Sequence, residues 1–245
     1  MRRATHPATS MALAPALRRL HGEIVGCRAC PRLVAWREKV AHDKVARFRD
    51  QTYWGKPVPG FGDPDARILI VGLAPGAHGA NRTGRIFTGD RSGDFLYAGL
   101  HRAGLASQPT SVSREDGLQL RDTYIVCTLR CAPPGNTPAP DEIARCASFL
   151  DREVTMLPHI RVVLALGAIG WRAWLDHAAR AAGTRSPLPR PRPAFGHGAR
   201  TDVGGHVLLG SYHVSQQNTQ TGKLTPAMFD RVLAEARSAA ERRET

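Results

Sequence analysis

Three short stretches carry side chains whose types and spacing could do chemistry. The first, GLAPGAHGANRTGRIFTGD, runs from Gly72 to Asp90, directly after the apolar run ARILIVG. Glycines, arginines and threonines after a strand make a loop suited to holding an anion through backbone N–H groups. It is neither a Walker A loop nor a dinucleotide fingerprint. Its first turn, Gly72, Leu73, Ala74, Pro75 and Gly76, carries no acid, amide or lysine. The second stretch, RCAPPGNTPAP, follows the apolar run TYIVCTL, and the third, HVSQQNTQTGKLT, follows HVLLGSY. In an open parallel sheet, ligands bind outside the carboxyl ends of the strands, so the three stretches should converge.

The cysteines form a second pattern. Cys27 and Cys30 make a C-x2-C pair, Cys131 and Cys146 are separated by fourteen residues, and Cys127 lies inside an apolar run. Four thiolates of this kind suit an all-cysteine site for zinc or an iron–sulfur cluster. A zinc ribbon would prefer a second C-x2-C, so the spacing leans towards a cluster. The alternative is a set of buried, unliganded thiols.

The elements that must position these residues are legible from periodicity. The runs 67–72, 123–129, 161–167 and 206–212 are continuously apolar, as expected of strands covered on both faces. Helical patterns separate them, at 90–105, 140–157 and 168–183. Another spans about 14 to 45 with a break at CRACPR, and the last begins at Thr225, a candidate N-cap before Pro226. Alternation of strand and helix predicts a three-layer α/β/α sandwich around a four-stranded parallel sheet. Residues 184–205, rich in Pro, Arg and Gly, read as a surface insertion with a short hairpin. The expected organisation is a disordered extension over residues 1–13 and a single domain over 14–245.

The 245 residues carry a net charge of +13 and are 42% hydrophobic. This is a globular composition, and the positive charge favours a polyanionic partner. No apolar run reaches the roughly 20 residues of a membrane span, so a cytoplasmic, monomeric protein with no membrane partner is expected. The basic N-terminus lacks the apolar segment of a secretory signal.

Together, GLAPGAHGANRTGRIFTGD, RCAPPGNTPAPDEIARC, SYHVSQQNTQTGKLT and CRACPRL resemble the uracil-DNA glycosylase superfamily, specifically its family 5, whose members carry iron–sulfur clusters. The resemblance spans roughly residues 20 to 235. It implies a monofunctional DNA glycosylase that starts base excision repair on double-stranded DNA containing uracil or other deaminated bases. It also implies a structural [4Fe–4S] cluster on Cys27, Cys30, Cys131 and Cys146.

Such an enzyme flips its target nucleotide out of the duplex and needs three things. These are a flat surface for the base, a donor for the departing base anion, and a group near C1′ that stabilises the sugar cation or orients water. The resemblance assigns stacking to Phe87, a catalytic N–H to His213 and the carboxylate to Asp90, with Asp94 in reserve. Read without it, Asp90 is a helix N-cap. The resemblance further places Asn136 in the active site and Cys127 against the base. The backbone from Gly72 to Gly76 binds the base in place of the acid or amide that better-known members have at Ala74. Gln216, Gln217 and Asn218 would fill the gap left by the flipped nucleotide. Lys223, Arg82 and Arg85 would contact phosphate. Two competing readings are a catalytically inactive nucleic-acid-binding module, which Ala74 would suit, and a nucleotide hydrolase acting on small molecules.

Overall fold

A computed structural model describes residues 15–183 and 188–242. The expected extension at residues 1–13 lies outside them. The chain opens with α1 (Pro15–Gly26) and α2 (Pro31–Asp43), separated at Cys27–Cys30 as the sequence predicts. Six strands follow in chain order: β1 (Phe61–Gly62), β2 (Ile68–Gly72), β3 (Thr123–Cys127), β4 (Val162–Leu166), β5 (Arg200–Val203) and β6 (His206–Ser211). The remaining helices are α3 (Ala80–Thr83), α4 (Arg91–Arg102), α5 (Pro140–Thr155), α6 (Ala168–Ala182), α7 (Gln216–Gln220) and α8 (Pro226–Glu241).

The strands form one sheet in the order β1-β3-β2-β4-β6-β5. β3, β2, β4 and β6 are the four apolar runs, and each pairs in parallel with its neighbour. The expected four-stranded sheet is therefore corrected to a mixed six-stranded one. β1 pairs antiparallel with β3, and β5 forms a hairpin with β6 through Gly204 and Gly205. These additions occupy both edges, where unpaired N–H and C=O groups would otherwise remain. Two residues of β1 carry no periodic pattern, so only the pairing of Phe61 with Ile125 and of Gly62 with Tyr124 defines that strand.

Strand periodicity divides the core. Ile68, Ile70 and Ile125 face one side, where α4 and α8 contribute Leu96, Leu100, Phe229 and Leu233. Leu69, Val71 and Val126 face the other, packed by Leu17 and Leu20 of α1 and Trp171 and Trp174 of α6. Because each β2 and β3 residue is buried, the continuous hydrophobicity follows directly from having a helical layer on each face. The strands thus hold the three chemistry-bearing loops at one end of a rigid sheet.

Candidate active site

The loop after β2 is closed by its own backbone. Gly79 and Asn81 N–H both donate to the Gly76 carbonyl, at 3.2 and 3.0 Å. Asn81, fully buried, donates from Nδ2 to the carbonyls of Arg37 and Ala77. One turn of α3 follows, and the chain then returns to the strand end with Phe87 in the left-handed region, at φ 50°. A bulky residue there is a genuine outlier, and such strain concentrates at functional sites.

Phe87 comes back onto Gly72. A Cβ built on Gly72 would meet Phe87 Cζ at 2.9 Å and Cys127 Sγ at 3.2 Å. The ring therefore lies on the end of β2 with the β3 thiol beside it. His213 stands on the other side of Phe87, its ring centroid 6.1 Å away. It follows β6, passes close to Gly167 at the end of β4, and is held from below by Asn218, whose Nδ2 donates to its carbonyl at 2.8 Å. Burial pushes the His213 imidazole down to about 4, so at neutral pH it is uncharged, with one N–H to donate.

Asp90 is both the N-cap of α4 and a half-buried residue whose carboxyl faces the loop. Its Oδ1 accepts from Gly93 N–H at 3.0 Å. Its Oδ2 lies over two glycines: a Cβ on Gly76 would sit 2.9 Å from it, and one on Gly79 would collide with it outright. Desolvation raises the Asp90 pKa, against the opposing effect of N–H groups from Gly93 and Ser92. Capping uses one oxygen and leaves the other turned to the loop, so the cap and a catalytic role are compatible.

Other sequence-nominated residues lie at different distances from this centre. Leu73, Ala74 and Gly76 are half-buried and Pro75 is buried along the first turn. Asn136 is exposed on a left-handed turn and lines a groove between α5 and α6, of about 610 Å³. Thr128, whose hydroxyl donates to the Gly72 carbonyl, lines the same groove and links it to the end of β2. Gln216 and Gln217 are exposed on α7, and exposed Lys223 has its ammonium 5.0 Å from the Tyr212 ring centroid.

Arg82 and Arg85 are buried, and protein groups take up their guanidinium nitrogens. Arg82 donates to the carbonyls of His78 and Gly89 and to Gln51 Oε1. Arg85 donates to Thr88 Oγ1, Ser111 Oγ and both oxygens of Asp116. Both shape the loop from within. Asp116 is held well below the usual carboxylate range by Arg85 and by backbone N–H groups, which outweigh its desolvation.

The uracil-DNA glycosylase superfamily model matches residues 59–237. Among curated proteins, the type-5 uracil-DNA glycosylase of Mycobacterium bovis is 54% identical over 223 residues, covering 90% of this chain and 81% of its own. That of Thermus thermophilus is 54% identical over 215 residues, covering 87% and 94%. That of Pyrobaculum aerophilum is 42% identical over 213 residues, covering 87% and 88%.

The chain belongs to the uracil-DNA glycosylase superfamily, in its type-5 branch.

The expected [4Fe–4S] cofactor is corrected. Cys27, Cys30, Cys131 and Cys146 do line one small cavity. Among the described residues, however, no three His, Cys, Asp or Glu side chains converge in a way that could hold a metal ion. Arg37 lines the same cavity, donating from Nη1 to Cys131 Sγ at 2.9 Å and from both terminal nitrogens to the Cys27 carbonyl. Burial raises the pKa of Cys30 and Cys131, and pushes Cys146 up to about 11, which favours neutral thiols that pack as small apolar groups. The C-x2-C spacing arose from the break between α1 and α2, where Cys30 is the N-cap of α2.

Sequence reasoning missed Gly79 and Tyr53. Gly79 leaves room for the Asp90 carboxylate, and Tyr53 O–H lies 3.1 Å from His78 Nδ1 on the same loop. A glycine in a glycine-rich loop carries no signal of which neighbour needs its missing Cβ.

Proposed function

We propose that the chain excises uracil, and other deaminated bases such as hypoxanthine and xanthine, from DNA by hydrolysing the N-glycosidic bond. It is a hydrolase of the DNA glycosylase kind. The observation that carries this reading is the desolvated, half-buried Asp90 carboxyl together with a strained Phe87 and a neutral His213, all at the carboxyl ends of β2 and β6.

In the proposed reaction the flipped base stacks on Phe87. The C1′–N bond breaks, the bonding electrons leave with the base, and His213 donates a hydrogen bond to the O2 side of the departing anion. A neutral imidazole suits this role because its proton need not be lost first. Asp90 Oδ2 stabilises the cationic sugar and orients the water that adds to C1′. The water's proton passes to solvent or to the base, leaving free base and an abasic site. No lysine takes the nucleophile's place, so strand cleavage is not expected.

Specificity follows from what the pocket offers. A site that reads uracil strictly needs an amide on its N3–H and O4 edge, because analogues then leave buried groups unpaired. Here that position is Cys127, whose thiol burial pushes up to about 12, a weak and neutral partner. The first turn contributes Ala74 and backbone. Stacking, backbone groups and one imidazole tolerate several bases, and normal ones are spared because paired nucleotides are costlier to flip. DNA is held by the net positive charge, with Gln216 and Gln217 entering beside the flipped nucleotide and Lys223 on phosphate; Asn218 braces that loop from inside.

The test is a panel of duplexes carrying uracil, hypoxanthine, xanthine or thymine, incubated in enzyme excess and then treated with alkali. Cleavage at uracil and hypoxanthine only after alkali is the expected result. No cleavage of any duplex would overturn the glycosylase reading, and cleavage at uracil alone would overturn the permissive pocket.

A further inference from the structure

The loop joining α4 to β3 is held in an unusual way. Asp116 lies at its centre and accepts hydrogen bonds from the backbone N–H groups of Val112, Ser113 and Leu118. The same carboxylate takes both terminal nitrogens of Arg85, which is only 5% exposed. Ser111 ties the loop to the active-site segment twice. Its hydroxyl lies 2.7 Å from Thr88 Oγ1, and its carbonyl accepts from Gly89 N–H at 2.8 Å.

At the tip of this braced loop is Val112, 67% exposed, the one large hydrophobic side chain fully turned to solvent among the described residues. A single exposed apolar residue on a loose surface loop would need no explanation. This one is fixed by a buried ion pair and follows directly after Ser111, which touches the residue before Asp90. Its Cα is thus on the order of 10 Å from that of Asp90, given one trans-peptide step on either side of the hydrogen bond. The flanking Arg114 lies over Trp54 at 4.8 Å from a ring centroid and pairs with the exposed Glu115. Lys56 lies over the same side chain at 5.6 Å, so the loop borders an aromatic side chain carrying two cations, of the kind on which a nucleic-acid base or backbone can rest.

We propose that Val112 is a second DNA-contacting wedge, pressing against the base stack next to the nucleotide that enters the Phe87 pocket. This deepens the glycosylase reading and rests on it. An apolar side chain placed at a base step offsets part of the cost of unstacking, as in other proteins that deform duplex DNA. The loop is held rigid because a wedge that yields would lose that effect. The α7 segment then approaches from the β6 side and Val112 from the α4 side of the same pocket.

The experiment compares the parent chain with Val112→Ser and Val112→Leu in single-turnover excision of uracil. Three substrates are used: a U·A duplex, a U·G duplex and single-stranded DNA. For Val112→Ser the ratio of U·A to single-strand rate should fall about tenfold, the scale of part of the flipping cost. The U·G ratio should fall less, since a mismatched base is already easier to flip, and Val112→Leu should keep the parent ratios. Equal slowing on all three substrates, or none, would overturn the wedge. Thermal melts of the variants should match the parent, because the side chain is exposed. If the parent chain excises uracil from none of the substrates, the glycosylase reading falls first and the wedge with it.

Discussion

Two desolvated carboxylates, one fully buried and one half-buried, have been given opposite surroundings. Glu153, on α5, is fully buried against Arg130 at 2.5 Å, with Tyr124 O–H and Gly60 N–H also donating to it. The Arg130 charge lowers its pKa despite desolvation. Asp90 has neither a salt bridge nor a donor side chain among the described residues; it has amides at the start of α4 and two glycines below, and its pKa is raised. A paired buried carboxylate is part of the framework, because its charge is already compensated by Arg130. An unpaired one retains capacity for a ligand, and its desolvation makes any positive charge nearby count for more. The difference teaches which buried acid the fold has kept available.

The sharpest break of this comparison is to neutralise each acid in turn. Asp90→Asn should slow single-turnover uracil excision by roughly two to four orders of magnitude, the range for positioned electrostatic groups, while keeping the fold. A near-parental rate would move the role to Asp94 or Asn136. Glu153→Ala should do the reverse. It leaves Arg130 buried and uncompensated, which typically costs about 3–5 kcal/mol, readable as a lower urea midpoint, with excision by the folded fraction near parental.

Gly79→Ala tests whether the glycine cradle matters. The added methyl collides with Asp90 Oδ2, so the carboxylate must swing away. A displacement of this size costs on the order of a hundredfold in rate, whereas the same change at Gly22, where a Cβ meets nothing, should leave the rate unaltered. Equal rates for both variants would mean that the Asp90 orientation seen here is not the reactive one.

pH sharpens the contrast further. The His213 imidazole is lowered to about 4 from the usual 6.5, so excision should show no limb near 6.5 and should decline only in acid. Asp90, raised above 3.8, adds to that acid limb, and Asp90→Asn should remove its contribution from the residual rate. The linkage signs differ as well. Below 6.5 the unfolded chain binds a proton at His213 that the folded chain refuses, so His213 costs stability as pH falls from 6.5 towards 4. Asp90 binds its proton more readily when folded, so its burial penalty grows as pH rises through its folded pKa and is relieved in acid. A rate limb centred at 6.5 would contradict the desolvated, neutral His213. Salt gives the smallest effect per group: log–log affinity for duplex should fall with a slope of roughly −0.9 for each phosphate contact, and Lys223→Ala should reduce that slope by about one contact.

The sequence by itself determined the four central strands, the helices between them and the family. Each is encoded locally, by continuous apolar runs, by helical periodicity and by the GLAPGAHGANRTGRIFTGD and HVSQQNT stretches. It also brought Phe87, Asp90 and His213 to one end of the sheet, because a parallel sheet leaves them nowhere else to go. Tertiary structure decided what spacing could not express. The two edge strands exist only through pairing with β3 and β6. Arg82 and Arg85, which composition offers equally to phosphate, are spent inside the loop because Gln51, Gly89, Ser111 and Asp116 reach them first. The C-x2-C and its two distant partners border one cavity, yet hydrogen bonding to Arg37 and the lack of a converging donor set decide against a metal. Most of these deciding contacts join residues far apart in sequence, and the burial or charge balance they create does not exist until the chain has folded.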